Sequence, residues 1–313
     1  MDVFEEMIDY FSHLGFPAEW PLIQEVFVWR ARMKPAHWRL PGKACLAVGG
    51  TLTQAIPAQT ALACLQTGIL IIDDLLDKDG RMDQFETNLA RLSNLASAFN
   101  ALGHLAIDQS SLDAGRKNES SRSLDEMLIA TSVGQFLDEQ KPADEADYWH
   151  LIRLKSAPFF GCTFQIGALA GKASIAQAKE IYHLGHLYGE LIQIQDDLHD
   201  AFETPANADW IQGRTSLPIL FAECVDHPDR SEFLKLRQTF ADGGSIEEAQ
   251  QILIRCGALS YCVFQFQNRF QEVHNILDTL NLPDPQPFKT LFEQISAPIQ
   301  EMIALGEKIA AKK

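Results

Sequence analysis

Two short acidic strings constrain this chain more than any other feature: Asp73-Asp74-Leu75-Leu76-Asp77 and Asp196-Asp197-Leu198-His199-Asp200. Each follows a long apolar run of helical spacing, the first from Ala61 to Ile72 and the second from Ile181 to Gln195. Residues four apart on a helix stack on one face about one turn apart, so Asp73 sits over Asp77 and Asp196 over Asp200. Like charges stacked in this way cost a few tenths of a kcal/mol per pair. At the C-terminal end of a helix they also meet the unfavourable end of the helix dipole. A sequence that does this twice gains no stability from it. Divalent cations remove the conflict, and carboxylate oxygens are ligands that Mg²⁺ takes. The alternative is a pair of solvated acidic patches, and the placement of both strings at the ends of apolar helices argues against it.

Helical periodicity dominates the rest of the chain. Between Leu259 and Leu280, for example, Phe264, Phe266, Phe270 and Val273 recur among polar residues. Ser174-Ile-Ala-Gln177 and Ser245-Ile-Glu-Glu248 have the capping-box form, in which a hydroxyl satisfies the first free amides. Asp284-Pro285 reads as a further helix entry, with proline where its missing N–H does no harm. Gly42, Gly80, Thr204-Pro205-Ala206-Asn207 and Gly243-Gly244 mark loops, none long enough for a domain linker. These signals predict an all-α protein with one domain spanning residues 1–313 and roughly a dozen helices.

Charge narrows the function. With 42 acidic against 26 basic side chains, the net charge is −16, the wrong sign for a nucleic-acid binder. The opening Met1-Asp2-Val3-Phe4 lacks the basic head and apolar run of a secretory signal, and no unbroken apolar stretch is long enough for a spanning helix. The six cysteines are scattered without a C-x-x-C pair, as expected of small buried side chains in a reducing compartment. A cytoplasmic protein is expected. The run from Asp77 through Asp79, Gly80 and Asp83 to Glu86 has the outline of a calcium loop, but its first ligand position is Leu75, which cannot coordinate.

At these residues the chain resembles the polyprenyl synthetase (trans-prenyltransferase) family of the isoprenoid synthase fold, over roughly residues 40–300. Leu70-Ile-Ile-Asp73-Asp74-Leu-Leu-Asp77 is similar to the first aspartate-rich motif of that family. Gly134-Gln135-Phe-Leu-Asp138 is similar to its G-Q-x-x-D segment, and Tyr148 through Lys155-Ser156 to the stretch ending in its K-T pair. Gln193-Ile-Gln-Asp196-Asp197-Leu-His-Asp200 resembles the second aspartate-rich motif, and Gly213-Arg214-Thr-Ser-Leu-Pro218 stands where the family has G-K-x-T-L-P. One such string is a weak signal, whereas this set in this order is specific.

The resemblance implies a helical bundle around a central cavity, with the two aspartate helices facing each other and binding about three Mg²⁺ ions, replaceable by Mn²⁺, that grip a substrate diphosphate. Asp73, Asp74, Asp77, Asp196, Asp197 and Asp200 are then the metal ligands, and Lys155, Arg214, Arg81 and Gln193 the diphosphate contacts. The aromatics Phe159, Phe160 and Phe164 are candidates for shielding an allylic cation, with ordinary core packing as the alternative. Leu62, Leu65, Gly68, Ile69 and Phe159 are expected to line the tail pocket. Gly68, where the family places a bulky stop, leaves room for chains of about twenty carbons or more. Gly185 and Gly189 either widen the same channel or serve close helix packing. A homodimer is also implied.

The chain departs from the family where the second substrate, isopentenyl diphosphate, is bound. The G-K-R-x-R-P segment becomes His37-Trp38-Arg39-Leu40-Pro41-Gly42-Lys43, with its basic residues displaced. Gln66 stands in place of a histidine, and Met82-Asp83 in place of an arginine pair, with Arg81 beside them. A second diphosphate needs cationic donors, and Gln66 brings no charge. Three readings therefore stand: chain elongation with isopentenyl diphosphate; cyclisation or lysis of a single allylic prenyl diphosphate; and a non-catalytic subunit of a heteromeric synthase, which retention of all six aspartates disfavours.

Overall fold

Helices begin where the sequence places their caps. Ser245 Oγ accepts from the Glu248 amide at 3.2 Å, Ser174 Oγ from the Gln177 amide at 3.1 Å, and Asp284 Oδ1 from the Gln286 amide at 3.0 Å. Each satisfies a donor that the first helical turn leaves open. The computed structural model describes residues 2–15, 19–77, 80–85, 88–138, 141–203, 210, 215–239 and 245–310, and every regular element among them is helical.

The helices are α1 (Val3–Ser12), α2 (Pro21–Arg32), α3 (Leu40–Ala47), α4 (Leu52–Asp77), α5 (Leu89–Asp108), α6 (Ala114–Asp138) and α7 (Glu145–Lys155). They continue with α8 (Ala157–Ala170), α9 (Ile175–Phe202), α10 (Leu217–Cys224), α11 (Arg230–Thr239), α12 (Ile246–Arg255), α13 (Ala258–Thr279) and α14 (Gln286–Ala310). Short 3₁₀ turns lie at Ala36–Arg39 and Asp83–Phe85. The longest of them, α9 with 28 residues and α4 with 26, are the two that carry the acidic strings near their C-terminal ends.

The chain divides into two compact units, neither contiguous in sequence. The first comprises Met1–Leu128, Cys162–His183 and Leu280–Lys289. Its aromatic core starts from α1 and α2, where Phe11 stacks on Phe27 at 3.9 Å between ring centroids and Phe27 on Trp38 at 5.7 Å. Each fully buried side chain of this size contributes about 1.5–3 kcal/mol over its exposed state. Tyr10 Oη donates to the Ala106 carbonyl at 2.9 Å, tying α1 to α5. By length and composition alone α4 could cross a membrane, but 72% of its most apolar window is buried inside the protein, as in the core helix of a globular bundle.

The second unit comprises Ile129–Gly161, Leu184–Thr279 and Thr290–Lys313. Glu190 on α9 is nearly fully buried and accepts from Arg269 Nε at 2.5 Å and Arg153 Nε at 3.1 Å. The Arg269 guanidinium in turn lies 3.5 Å from the centre of the Trp149 ring. This pins α9 to α7 and α13 about two turns ahead of the second acidic string. Removing one partner of such a buried pair costs about 3–5 kcal/mol. A further core of Ala201, Trp210, Ile219, Ala222, Phe233, Ile252 and Leu253 seats the far end of α9 against α10, α11 and α12.

Candidate active site

In the first unit, the two leading aspartates of the α4 string have different fates. Asp74 is 6% exposed. Its Oδ1 accepts from the Arg81 amide at 2.7 Å and its Oδ2 from the Met82 amide at 3.0 Å. The carboxylate therefore folds the following loop back onto α4, and Met82 is buried beneath it. Gly80 makes that reversal with φ of +71°, a conformation that side chains other than glycine rarely adopt. Asp73 is half-buried, and the side chain of Asp77, at the last residue of α4, lies outside the described residues, as do Asp79 and Glu86. The Phe85 ring of the same loop meets Trp29 of α2 edge-on at 5.3 Å.

The second unit repeats the division of labour with different donors. Asp197 is 5% exposed and accepts from Tyr148 Oη at 2.7 Å, from the Leu217 amide at 2.6 Å and from Gln193 Nε2 at 2.8 Å. Burial pushes its pKa up to about 6, against the pull of those three donors, with the Asp196 charge adding to the rise. Asp196 stands exposed one residue earlier, and desolvation followed by the Asp200 carboxylate raises its pKa as well. Asp200 is half-buried. The outer pair, stacked one turn apart, thus keeps the repulsion that the sequence predicts.

Two of the expected diphosphate contacts, Gln193 and Lys155, are engaged within the protein. Gln193 donates to Asp197 and accepts from Ser156 Oγ at 2.9 Å, so both ends of its amide are committed. Lys155 Nζ pairs with Asp138, both side chains partly exposed. The glycine of the G-Q-x-x-D segment explains how they meet. A Cβ on Gly134 would lie 2.5 Å from the Lys155 Cα, so only glycine lets α6 come this close to the end of α7. Asp138 follows one turn later. Arg81 is exposed, and Arg214 lies outside the described residues.

The expected tail pocket needs correction at its centre. Leu62 and Leu65 are fully buried in α4, while Ile69 and Phe159 are half-buried. Gly68, however, faces α5: a Cβ there would lie 2.7 Å from Asn100 Oδ1 and 3.2 Å from the Ala96 carbonyl. The room expected at Gly68 is occupied by Asn100, and this glycine answers to helix packing. Gly189 does the same in the second unit, where a Cβ would lie 2.8 Å from the Ala157 Cα. Phe164 stacks on Phe288 at 5.1 Å and is core, whereas Phe159 and Phe160 meet edge-on at 5.2 Å and remain half-buried.

Sequence reasoning missed Tyr148, Ser156 and Asp138 as members of the site. Asp138 carried a signal, its place in a glycine-led segment one turn from Gly134. Tyr148 and Ser156 stood at the two ends of a family-like stretch, but their partners, 49 and 37 residues away, are not visible from local spacing.

Among the described residues no three His, Cys, Asp or Glu side chains form a ready-made metal cage. Mg²⁺ rarely uses one: it is held by one or two carboxylates, with waters and substrate phosphate oxygens completing the octahedron. The outer carboxylates Asp196 and Asp200, stacked and partly solvent-facing, fit that donor set.

The sequence matches the family model for polyprenyl synthetase over residues 32–253. It is 26% identical over 295 residues to a geranylgeranyl diphosphate synthase of Methanosarcina mazei, a match that covers 85% of this chain and 83% of that one. A geranylfarnesyl diphosphate synthase of Aeropyrum pernix is 26% identical over 251 residues, covering 74% and 78% respectively. A crystal structure of a geranylgeranyl pyrophosphate synthase has a TM-score of 0.81, covering 95% of this chain and 97% of that one at 16% identity, a likeness of fold.

Proposed function

Because this chain belongs to the polyprenyl synthetase family, we propose that it is a Mg²⁺-dependent trans-prenyltransferase that ionises an allylic prenyl diphosphate and extends it with isopentenyl diphosphate. One observation carries the chemistry. In both acidic strings the second aspartate is buried and spent on protein donors, and the flanking aspartates are the proposed ligands for ions. Asp74 holds the backbone at Arg81 and Met82 in place, and Asp197 the backbone at Leu217. Asp73 and Asp77 in one unit, and Asp196 and Asp200 in the other, are the direct metal ligands.

Bound Mg²⁺ supplies Lewis-acid stabilisation of the charge that develops on the leaving diphosphate. Lys155 is held ready by Asp138 and turns to that diphosphate, where a charge-assisted hydrogen bond is worth about twice a neutral one. Gln193 keeps the Asp197 carboxylate in its seat rather than touching substrate. Phe159 and Phe160 offer ring faces to an allylic cation and exclude water from it. A product of geranylgeranyl length or longer is supported by the names of the relatives, geranylgeranyl and geranylfarnesyl diphosphate synthases. Gly68 no longer argues for it.

A homodimer is part of the proposal. Ile129, Val133 and Phe136 fall at i, i+4 and i+7 on α6 and are all exposed, an apolar stripe that a second copy would cover. Sedimentation of Phe136→Glu as a monomer, with the parent chain a dimer, is the expected outcome.

A second reading, cyclisation or lysis of one prenyl diphosphate, is favoured by Gln66, whose oxygen accepts from Trp38 Nε1 and which brings no charge. Incubation with Mg²⁺ and geranyl, farnesyl or geranylgeranyl diphosphate, each with and without isopentenyl diphosphate, separates the two. Longer diphosphates mean elongation. Hydrocarbons or alcohols formed without the second substrate mean a cyclase or lyase, and no turnover of any of them overturns the transferase assignment.

A further inference from the structure

Glu190 and Arg269 form an ion pair that stability alone does not call for. Both side chains are about nine-tenths or more buried, and Arg269 Nε donates to Glu190 Oε2 at 2.5 Å. Two charges taken out of water gain little or nothing over a well-packed apolar pair, so a buried ion pair asks for another role. Neither residue belongs to a motif of the acidic-string site. The rest of the guanidinium is committed too. Its Nη1 donates to the Gln265 carbonyl at 3.2 Å and to Gln265 Oε1 at 2.8 Å, and its carbon lies 3.5 Å from the centre of the Trp149 ring.

Trp149 is thereby clamped from two directions. Arg269 covers its face, and its Nε1 donates to Glu145 Oε1 at 3.0 Å, an oxygen that also accepts from Gln265 Nε2 at 3.1 Å. The indole meets the Tyr148 ring edge-on at 4.9 Å, and Tyr148 Oη donates to Asp197 Oδ2 at 2.7 Å. The Arg269 charge reaches the phenol as well. Burial and then the Asp197 carboxylate raise the Tyr148 pKa, and the guanidinium opposes them, which polarises the O–H toward its acceptor.

The path leaves α9 at Glu190, crosses α13 and α7, and returns to α9 at Asp197. Those two residues are seven apart, on one face of the helix and about 10 Å apart along its axis. Anchors at two such points fix both the rotation and the tilt of α9. Asp196 and Asp200 project from the adjoining face, so a small rotation of α9 changes where their oxygens point.

We propose that Arg269 is a positioning residue for the second acidic string: held by Glu190 and laid on Trp149, it keeps Tyr148 on Asp197 and so sets the rotation of α9 that aims Asp196 and Asp200 at the ions. The inference rests on the reading of Asp196 and Asp200 as metal ligands. An ion pair that only packed the core could be exchanged for an apolar pair with ion binding untouched, whereas a positioning pair could not.

The test is Mn²⁺ binding, followed by electron paramagnetic resonance of the free ion, in the full chain with a saturating non-reactive allylic thiolodiphosphate. The parent is compared with Arg269→Lys, with the double variant Glu190→Leu with Arg269→Met, and with Asp196→Ala. The double variant removes both charges together and keeps the core filled, so its melting temperature should stay close to that of the parent. Its Mn²⁺ affinity should nonetheless fall about tenfold, with a smaller fall in Arg269→Lys, which keeps the charge without the planar fork. Parent affinity in both variants overturns the positioning role and leaves the ligand reading intact. A parent that binds no Mn²⁺, or an Asp196→Ala protein that binds it equally well, overturns the ligand reading instead. If neither Arg269 variant folds, hydrogen exchange on the parent decides. Mn²⁺ with the thiolodiphosphate should slow exchange in the peptides around Trp149 and Arg269, and unchanged exchange there overturns the positioning role.

Discussion

Tyr148 Oη donates to Asp197 Oδ2 at 2.7 Å, a buried hydrogen bond that joins α7 to the middle of the second acidic string. Burial holds the tyrosine pKa well above its usual value and lifts that of Asp197 to about 6, so near neutrality the phenol is the donor and the carboxylate accepts. The first string reaches the same arrangement by other means, with two backbone amides on Asp74 where the second string uses a phenol, an amide side chain and one backbone amide. In both, the middle aspartate is a folding element and its neighbours are the proposed ligands.

Tyr148→Phe should therefore destabilise the chain and slow it together. Asp197 loses one of three donors while remaining buried, a loss worth about 1–3 kcal/mol. Urea titration should show a lower midpoint, and turnover should fall about tenfold as Asp197 shifts in its seat. Wild-type stability in this variant would mean that the phenol contributes nothing to holding the string.

The two leading aspartates of the first string should separate by mutation. Asp73→Ala should keep the helical fold and lower turnover about a hundredfold or more, because it removes a proposed metal ligand. Asp74→Ala should lose stability first. It strands the Arg81 and Met82 amides, at about 1–3 kcal/mol for each buried donor. Circular dichroism melts beside steady-state rates distinguish them, and equal melting temperatures for both variants would refute the division of roles.

Lys155 and Asp138 form a partly exposed pair, worth no more than about 1 kcal/mol. Lys155→Met should change the melting temperature little and raise KM for the allylic diphosphate. Asp138→Asn should leave the lysine in place but less well directed, with a smaller rise. A large loss of stability in either would show that the pair serves the fold.

How much of this was legible depended on how far apart the partners lie. The helices, their caps at Ser174, Ser245 and Asp284, and the two acidic strings follow from spacing within a few residues, where local rules apply. The division of labour inside each string was invisible, since Asp74 and Asp197 look like their neighbours until the loop at Met82 and the phenol of Tyr148 close over them.

Gly68 is where a sequence reading and the packing give opposite outcomes. A glycine in place of a bulky stop suggests space for a long chain, and then Gly68→Phe should shorten the products. In the fold the glycine hydrogen faces α5, and a methyl group in its place would meet Asn100 Oδ1 at 2.7 Å and the Ala96 carbonyl at 3.2 Å. A carbonyl of a packed helix cannot step aside, so even Gly68→Ala must push α4 from α5 or displace Asn100, at about 1–3 kcal/mol for overpacking. Gly68→Ala should lower the unfolding midpoint without changing product length. Pairing it with Asn100→Ala should recover part of the loss, because the side chain nearest the new methyl is then gone. Gly68→Phe should fail to fold as a soluble chain. Shorter products from a stable Gly68→Phe protein would return the residue to the tail pocket and overturn the packing account.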